Sequence, residues 1–301
     1  MRVLVVGDSI LDEFCAGAVR GLSPEAPVPV LLNPGSKFRL GGALNAFLNI
    51  KELRGEAKFQ SIIGRDESGS KVQSLSQDEQ PFVNFTVLEN YSTPHKIRFS
   101  SNGHQFLRVD RELSIDPDEL SFPPEYFESV LKDALESTII VISDYRKGAV
   151  PSRLVNEIIS KNTGKTIIVD SKNPNLAIYK GASLITPNLN EGRAATGLTN
   201  PESIVSALQN LVGGSVLLTL GADGMLLGDK GAPPVHVAAI AQEVSDVTGA
   251  GDSVVAGISV ALSEGASLIE AVHWAAQISA VAVQHNGTYV VSRKEVPSWS
   301  L

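Results

Sequence analysis

Short apolar runs rich in β-branched residues alternate with longer stretches of helical periodicity along most of the chain. This alternation is typical of βαβ units on a largely parallel sheet, and therefore of an open α/β sandwich. The apolar runs predict strands at Val3–Val6, Phe59–Ile63, Thr138–Ile142, Thr166–Val169, Ser183–Ile185, Val216–Thr219 and Met225–Leu227. The helical periodicity predicts helices at Ala43–Leu53, Pro124–Leu135, Pro151–Asn162, Pro201–Leu211, Gly251–Ser263 and Leu268–Val283.

Two segments, residues 12–32 and 81–111, do not follow this alternation of strands and helices. They carry interleaved charges and no helix between their β-type stretches, which are Pro27–Leu32, Phe82–Leu88, Lys96–Phe99 and Gln105–Asp110. This pattern is typical of antiparallel hairpins with one solvated face. We expect the two segments to pair into one small sheet, a lid over the edge of a single domain that spans residues 1–301.

Composition and charge narrow the classes of partner. The chain has 301 residues, of which 43% are hydrophobic and 19% charged, and 25 Lys and Arg against 33 Asp and Glu leave a formal charge of −8. A net acidic protein is a poor general binder of nucleic acid or of a membrane surface, so we expect neither as a partner. Any phosphate that it binds must be held by a few local groups.

The sequence also carries signals of compartment. A single cysteine, Cys15, cannot form an intramolecular disulfide and suits a reducing environment. The first apolar run meets Asp8 too soon for a secretory signal, and no later uncharged apolar stretch approaches the roughly 18 residues of a membrane span. We therefore expect a cytoplasmic protein.

The sharpest candidate for chemistry is the segment 246–252, Asp-Val-Thr-Gly-Ala-Gly-Asp, which leads directly into a predicted helix. The backbone N–H groups of Gly249, Ala250 and Gly251 would converge at the positive end of the helix dipole, which favours an anion. Asp252 lies beside the same point, where it could take a proton from a hydroxyl while the N–H groups hold a phosphoryl group. An ordinary helix N-terminus without a ligand would explain the same residues, and that alternative stays open.

Two familiar phosphate-binding loops are excluded. A Walker loop needs Gly-x4-Gly-Lys-Ser/Thr, and the nearest candidate, Gly64 to Gly69, continues with Ser-Lys in the wrong order. A dinucleotide fingerprint that starts at Gly249 would need glycine at position 254, where valine stands. The sequence therefore predicts neither loop.

Further polar groups near the first predicted strand and helix are candidates for a sugar site. Asp8 and Asp12 follow the first strand, where open α/β sheets bind ligands, and could accept hydrogen bonds from sugar hydroxyls. A solvated turn would explain them equally well. Gly41, Gly42 and Asn45 open a helix whose backbone a polar ligand could approach, although close helix packing would also favour such small residues.

The second half of the chain carries candidates for the nucleotide end. Asn188 could reach a phosphate and Glu191 could orient water on Mg²⁺, but on their own these two residues favour a simple helix cap. Thr219, Gly221 and Gly224 lie where a strand turns back, so that an adenine or ribose could rest on the backbone. A plain hairpin explains these three almost as well.

In this order, the segments resemble the ribokinase-like (PfkB-type) sugar kinases. The motifs that carry the resemblance span nearly the whole chain: Gly7-Asp8, Gly41-Gly42-x-x-Asn45, Asn188-x-x-Glu191, Thr219-x-Gly221-x-x-Gly224 and Asp246-x-Thr248-Gly249-Ala250-Gly251-Asp252. The resemblance implies a three-layer α/β/α sandwich with a mostly parallel central sheet and a small β-sheet lid. It also implies ATP-dependent phosphorylation of a sugar hydroxyl, with Mg²⁺.

Within that family, the chain is most similar to the kinase domain of heptose 7-phosphate kinases. The residues that carry this similarity are Leu22–Val30, Lys96-x-Arg98, Leu107–Asp110, Ser143-Asp144-Tyr145-x-Lys147-Gly148 and Asp246-Val247-Thr248. It implies transfer of the γ-phosphoryl group to the anomeric O1 of a heptose 7-phosphate, the step that starts synthesis of ADP-heptose, a lipopolysaccharide precursor. It also implies a homodimer whose lids clasp one another.

The resemblance assigns a role to each candidate residue. Asp252 is the catalytic base and Gly249, Ala250 and Gly251 form the anion hole. The sugar is oriented by Asp8, Asp12, Gly41, Gly42, Asn45 and Asp144, and its phosphate is held by Lys96, Arg98, Arg108 and Lys147. The nucleotide is bound by Lys172, Asn188, Glu191, Thr219, Gly221 and Gly224; Glu191 contacts Mg²⁺ through water. Asp246 and Thr248 would hold a monovalent cation such as K⁺.

The chain departs from the family pattern at two positions. Ser171 stands where the usual Asp-Pro-Lys has proline, and Ala276 stands where the family usually has asparagine near the adenine. The chain also lacks the His-x-Gly-His motif of the adenylyltransferase domain that many relatives carry downstream, so we expect kinase activity only. A kinase for a fructose-type or ribose-type substrate and a non-catalytic sugar-phosphate or nucleotide-binding protein remain alternatives.

Overall fold

The structure is a computed structural model that describes residues 2–240 and 243–299. Its strands are β1 (Arg2–Gly7), β2 (Ser9–Leu22), β3 (Pro29–Gly42), β4 (Glu56–Gly64), β5 (Val83–Leu88), β6 (His95–Ser101), β7 (His104–Arg111), β8 (Ile139–Asp144), β9 (Thr166–Ser171), β10 (Leu184–Ile185), β11 (Ser215–Thr219), β12 (Met225–Gly228) and β13 (Val235–Val237). Its helices are α1 (Ala43–Glu52), α2 (Glu67–Leu75), α3 (Pro124–Glu136), α4 (Ser152–Lys161), α5 (Leu189–Thr196), α6 (Pro201–Val212), α7 (Ala250–Ser263) and α8 (Leu268–Ala282). Short 3-10 helices lie at Gln77–Glu79, Pro117–Glu119, Leu176–Tyr179 and Gly221–Asp223.

The larger sheet has nine strands in the order β13-β12-β11-β10-β9-β8-β1-β4-β5. Its strands are parallel from β5 to β11, and β12 and β13 add antiparallel pairs at the other edge. In β1, Val3 and Val5 join the apolar cluster on one face of the sheet, whereas Leu4 and Val6 join the cluster on the other. Successive side chains of a strand point to opposite faces, so a strand covered on both sides needs a continuous apolar run.

Helices cover both faces of this sheet and complete three layers. One face packs against α1, α7 and α8, whose buried side chains include Phe47 and Trp274. The other packs against α3, α4 and α6, with Tyr126 and Leu208 among the buried side chains. Each fully buried side chain of Leu or Phe size contributes roughly 1.5–3 kcal/mol, so these two clusters dominate stability. Among the described helices, none combines the length and apolarity needed to cross a membrane.

The smaller sheet, called the lid here, has the order β3-β2-β6-β7. It consists of two antiparallel hairpins, β2–β3 and β6–β7, which join through a parallel pairing of β2 with β6. Strand β2 starts two residues after the end of β1, and β3 ends immediately before α1. Both ends of the first hairpin are therefore anchored in the α/β body.

The structure confirms the predicted strands and helices of the body, with bounds that differ by no more than three residues. It also confirms that strands from two separate segments pair into one small sheet. Helix α2 and strand β13 were not predicted, and α5 was expected only as a helix cap at Asn188 and Glu191. In α2 only Gly69 and Val72 are buried, so the apolar periodicity that marks a helix is absent there.

The expected bounds of the lid were wrong. Phe82–Leu88 was assigned to the lid, but Val83–Leu88 forms β5, the edge strand of the larger sheet, parallel to β4. At this edge the helices no longer shield both faces, and Val87 is 39% exposed while Val83 and Leu88 are buried. Its sequence, Val-Asn-Phe-Thr-Val-Leu, alternates apolar and polar residues up to Val87, as a half-solvated hairpin strand does. The lid strands occupy residues 9–42 and 95–111, and a single domain over the whole chain stays a prediction.

Candidate active site

A cleft of about 860 Å³ lies at the carboxyl ends of the parallel strands, against the first turn of α7. Tyr145 follows β8 directly, Asp170 lies near the end of β9, and Lys172 follows β9; all three line the cleft. Open α/β sheets bind ligands at this edge, and the volume is typical of a site for small molecules.

Asp252 lies in the first turn of α7 and is 2% exposed. Its carboxylate accepts two hydrogen bonds: Tyr145 Oη donates to Oδ1 over 2.7 Å, and Asn45 Nδ2 donates to Oδ2 over 2.9 Å. Burial and the nearby Asp170 carboxylate raise the pKa of Asp252 to about 7, although both hydrogen bonds and Lys172 lower it. A carboxylate that titrates near neutrality is suited to accept a proton from a hydroxyl.

Lys172 and the carboxylates of Asp170 and Glu191 lie near Asp252 in the cleft. Lys172 Nζ donates to Glu191 Oε1 over 2.6 Å. Burial lowers the pKa of Lys172, but the carboxylates of Asp170 and Glu191 raise it more, so the ammonium stays charged. Burial also raises the pKa of Asp170, against the effect of Lys172. The cleft thus holds one cation among several carboxylates.

The N-terminus of α7 has the form expected of an anion hole. Gly249 is the N-cap with φ 80°, and a Cβ there would lie 2.6 Å from Asn45 Nδ2, so this position requires glycine. The N–H of Ala250 donates to Val247 O over 3.2 Å. Among the described residues, no hydrogen bond starts from Gly249 N or Gly251 N. Two of the three predicted N–H groups are therefore free for an anion.

The residues predicted to bind the nucleotide all line this cleft: Lys172, Asn188, Glu191, Thr219, Gly221 and Gly224. The capping arrangement favoured for two of them is present. Asn188 Oδ1 accepts from Glu191 N over 3.0 Å, and Glu191 Oε2 accepts from Asn188 N over 2.8 Å. The other oxygen of Glu191 holds Lys172, so one side chain serves both the helix cap and the cleft.

The wall opposite this cap combines a tight turn with apolar side chains. Gly221 and Gly224 connect β11 to β12 with φ values of 64° and 85°, and a Cβ on Gly224 would lie 2.2 Å from Val237 O. The predicted hairpin is therefore correct, and it requires glycine. Val244 and Ala276 also line the cleft. This wall offers an apolar surface beside exposed backbone, which suits a flat heteroaromatic ring.

Two carboxylates predicted to orient the sugar are engaged by the protein itself. Asp8 is completely buried, and its oxygens accept N–H groups from three residues of the loop 145–149 over 2.7–3.0 Å. Asp144 is 2% exposed and accepts a hydrogen bond from Tyr179. Burial raises the pKa of both groups. Their geometry supports the loop that carries Tyr145 and leaves few lone pairs for a ligand.

The other predicted sugar residues lie where the lid joins the body. Asp12 was expected in a loop but lies within β2, and Arg98 Nη1 donates to it over 2.5 Å. A Cβ on Gly41 would lie 2.1 Å from Asp12 Oδ2, so the absent side chain makes room for that carboxylate. Gly42, with φ 62° and ψ −142°, adopts a conformation open only to glycine and starts α1. Asn45 follows one turn later, against Asp252.

The cations predicted to hold a substrate phosphate lie on the lid and its rim: Lys96, Arg98, Arg108 and Lys147. All are paired with carboxylates. Asp110 is shared by Lys96 and Arg108, over 3.0 and 2.9 Å, and Glu112 is shared by Lys96 and Lys147, over 3.6 and 2.7 Å. The shared carboxylates hold three of the cations within reach of one another, so they form one basic cluster.

Asp246 and Thr248, predicted to hold a monovalent cation, form the turn before α7. Asp246 Oδ1 accepts from Thr248 N and Oγ1 over 2.9 and 2.7 Å, and Oδ2 accepts from Gly287 N over 2.8 Å. Burial raises the pKa of Asp246, but these hydrogen bonds outweigh it, so the net shift is downward. Three of the roughly four lone-pair sites of this carboxylate are already in use.

Two residues of the site, Tyr145 and Asp170, were not predicted from the sequence. Tyr145 donates directly to Asp252, yet within the Ser-Asp-Tyr-x-Lys segment only its neighbours Asp144 and Lys147 were selected. Asp170 follows a nearly continuous apolar run and is 5% exposed. An ionisable residue directly after a buried strand is a usable signal, because parallel strands bring such ends to one edge.

Residues 2–295 match the family described as pfkB family carbohydrate kinase. The bifunctional protein HldE of Caulobacter vibrioides is 38% identical over 304 residues, which are 98% of this chain and 62% of that protein. The HldE of Bradyrhizobium diazoefficiens is 35% identical over 305 residues, with the same coverage. The chain therefore spans 62% of the length of these curated relatives.

Solved structures share the fold. Phosphofructokinase-2 from Escherichia coli, in complex with substrates and products, superposes with a TM-score of 0.76 at 24% identity over 98% of this chain and 96% of that one. Ribokinase from Arabidopsis thaliana, complexed with ribose and ATP, gives 0.74 at 20% identity over 99% and 96%. The predicted ribokinase-like fold is confirmed. The chain belongs to the pfkB family of carbohydrate kinases, enzymes that transfer a phosphoryl group to a hydroxyl.

Proposed function

We propose that this chain transfers the γ-phosphoryl group of ATP to O1 of a heptose 7-phosphate. The observation that carries the proposal is the juxtaposition of a buried carboxylate, Asp252, with the free N–H groups of Gly249 and Gly251 at one end of the cleft. A proton acceptor beside an anion-binding backbone is what transfer to a hydroxyl requires. The similarity to heptose kinases and to HldE proteins supports the choice of sugar.

Asp252 acts as the base in this reaction. Its carboxylate takes the proton of the O1 hydroxyl as a P–O bond forms to O1 and the bond between the γ-phosphorus and the ADP oxygen breaks. The proton leaves Asp252 for solvent when the products depart. Asn45 and Tyr145 each donate to one carboxylate oxygen, so they fix its orientation before the sugar arrives. Gly249 N and Gly251 N hold the phosphoryl oxygens.

The nucleotide occupies the part of the cleft between α5 and the β11–β12 turn. The apolar side chains of Val244 and Ala276 face the adenine, and Lys172 meets the phosphates. No group of three or more His, Cys, Asp or Glu in the described residues could hold a metal, so a divalent ion depends on one or two carboxylates, water and phosphate oxygens, as Mg²⁺ usually does. Asp170 and Glu191 fit that requirement as oxygen ligands at the phosphate end. Mg²⁺ held there would supply positive charge that offsets the negative charge of the phosphoryl group.

In this proposal, the lid contacts the 7-phosphate that the sugar already carries. Lys96, Arg108 and Lys147 already converge on two carboxylates, and a phosphate with two negative charges can replace those carboxylates as their partner. A sugar without a phosphate offers these cations nothing. The basic cluster therefore favours a phosphorylated sugar over a fructose-type or ribose-type substrate.

An ADP-release assay across sugars and sugar 5-, 6- and 7-phosphates tests the proposal. We expect the highest kcat/KM with a heptose 7-phosphate. Lys96→Met should raise the KM for that substrate by about tenfold or more and leave activity on an unphosphorylated sugar unchanged. The matched control is Lys161→Met, which removes an exposed lysine paired with Glu157 on α4. Activity confined to unphosphorylated hexoses would contradict the choice of sugar. ATP binding without ADP release would indicate a non-catalytic binding protein.

We also infer a homodimer formed through the lids. On β7, Leu107 and Val109 share a face and are 49% and 36% exposed, and Leu22 near the tip of the first hairpin is 68% exposed. Exposed apolar side chains on one small sheet are typical of an interaction surface. A second copy would cover them. Sedimentation should give a dimer for the wild type and a monomer for Leu107→Lys, whereas a monomeric wild type would contradict the inference.

A further inference from the structure

Arg39 connects the lid to a distant segment of the body. It lies on β3, and its Nη1 donates to the carbonyl oxygen of Asn286 over 3.0 Å and to that of Thr288. Both carbonyls belong to the segment 286–288, which follows α8. The guanidinium therefore supplies positive charge at a point where two backbone oxygens converge.

The same segment supports the N-terminus of α7. Gly287 N, between the two carbonyls, donates to Asp246 Oδ2 over 2.8 Å. A Cβ placed on Gly249 would lie 3.4 Å from Thr288 Cγ2, so the segment packs directly against the proposed anion hole. Through these contacts the segment 286–288 connects Arg39 on the lid to Gly249.

We propose that Arg39 is a built-in cation that takes the place of a monovalent metal ion at the carbonyl oxygens of Asn286 and Thr288, and that it positions the segment 286–288 against the start of α7. Arg39 is thus a positioning residue. The proposal depends on the proposed kinase function only for its activity measurements. The effect of monovalent cations on the melting temperature can be measured whether or not the protein turns over a substrate.

The oxygens around Asp246 do not suit a free ion. Selective binding of K⁺ requires a set of oxygens that replaces its hydration shell. Here three lone-pair sites of Asp246 accept protein donors, and two neighbouring carbonyls accept Arg39. Near them, Thr288 Oγ1 is a buried side-chain oxygen that lacks a hydrogen-bond partner within the described part of the chain. One hydroxyl cannot replace a hydration shell.

Aromatic packing holds the guanidinium in place. Arg39 lies over the ring of Phe14 at 5.7 Å, and a Cβ on Gly287 would lie 2.4 Å from that ring. Phe14 therefore fills the space between the lid and the segment 286–288. A guanidinium keeps its charge at every physiological pH, and its planar group of donors can satisfy two carbonyls at once, which an exchangeable ion achieves only when it is bound.

The test compares wild type and Arg39→Ala in tetramethylammonium, Na⁺ and K⁺ at equal ionic strength. Wild-type kcat/KM and melting temperature should be the same in all three salts. Arg39→Ala should lose about tenfold or more in kcat/KM in tetramethylammonium and recover most of it in K⁺. Its melting temperature should rise in K⁺, and it should bind Tl⁺, a probe for K⁺, in a titration where the wild type shows no binding. Arg20→Ala, which removes another arginine of the lid, is the control and should behave like the wild type.

Three results would overturn the proposal. One is a wild type that K⁺ activates or stabilises. Another is a folded Arg39→Ala variant with wild-type kcat/KM in tetramethylammonium. The third is an Arg39→Ala variant whose lower kcat/KM no cation restores, which would mean that Arg39 has only a structural role. If that variant does not fold, Arg39→Lys, which keeps the charge, should remain independent of K⁺, and a K⁺ requirement there would contradict the proposal. If no sugar is phosphorylated at all, the salt dependence of melting and Tl⁺ binding still decide the question.

Discussion

Replacement of Asp252 by asparagine separates the role of its charge from the role of its shape. Asp252→Asn keeps the size of the side chain and one oxygen for the donors Asn45 and Tyr145, but it removes the proton acceptor. General-base catalysis by a positioned side chain contributes about 10²- to 10⁴-fold, so kcat should fall by that factor. Binding of ATP and sugar should change little, because both contact mainly other groups of the cleft.

The same substitution should stabilise the protein at alkaline pH. The pKa of Asp252 is raised from 3.8 to about 7, so between these values the folded state binds more protons than the unfolded state. Stability must therefore fall as the pH rises from about 4 to 7. The difference between the two pKa values corresponds to at most about 4 kcal/mol above pH 7. Asparagine at position 252 carries no charge, so Asp252→Asn lacks this destabilisation. We expect its free energy of unfolding to exceed that of the wild type by about 1–3 kcal/mol at pH 8, and the difference to shrink as the pH falls toward 4.

Two measurements check this pair of effects. Denaturant unfolding of wild type and variant at pH 8 and pH 5 gives the stability difference, and ADP release gives kcat. Asp78→Asn, at an exposed position, is the control for loss of an acidic charge and should show neither effect. A variant with nearly wild-type turnover would sink the assignment of Asp252 as base. A stability difference that is the same at both pH values would refute the argument that burial raises its pKa.

Three further changes have defined outcomes. Tyr145→Phe removes a hydrogen bond that lowers the pKa of Asp252, so the rising limb of the pH profile of kcat/KM should move upward by about 1 pH unit or more. Gly249→Ala places a side chain at φ 80° and 2.6 Å from Asn45 Nδ2; it should lower kcat and destabilise the protein by about 1–3 kcal/mol, as denaturant unfolding will show. Glu191→Gln weakens the hold on Lys172 and should raise the KM for ATP several-fold while the KM for sugar stays constant in steady-state assays.

The parts of the fold that could be predicted are those whose burial produces a clear pattern of apolar and polar residues in the sequence. Val3–Val6 is apolar at every position because both faces of β1 are covered, and the amphipathic α6 opens with Pro201. Where a strand is only partly buried, the pattern of apolar and polar residues is ambiguous. Val83–Leu88 mixes apolar and polar residues because it is an edge strand, and the similar mixture in Gln105–Asp110 belongs to the lid. Only the pairing partner separates the two cases, and pairing is a tertiary property.

The site divides in the same way. The segment around Asp252 and the turn at Gly221–Gly224 were predictable, because glycine at positive φ and a helix N-terminus are local requirements. The partners of each carboxylate were not. Asp8 and Asp12 look alike in sequence, yet one accepts backbone N–H groups from a loop about 140 residues away and the other pairs with Arg98. Tyr145 was missed because its contact with Asp252 depends on how β8 and α7 meet.

In the proposed reaction, the charges of the lid would let a protein with a net charge of −8 select a doubly anionic sugar phosphate. Lys96, Arg108 and Lys147 are not unpaired: Asp110 and Glu112 already form ion pairs with them and leave one net positive charge on the cluster. A substrate phosphate must exchange with these carboxylates, so the net gain in free energy is much smaller than that of a phosphate entering an unpaired basic pocket. A smaller anion or a neutral sugar cannot drive the exchange. Selectivity in the proposed reaction therefore comes from the difference between two sets of ion pairs, and removal of Asp110 should strengthen general anion binding while it weakens discrimination.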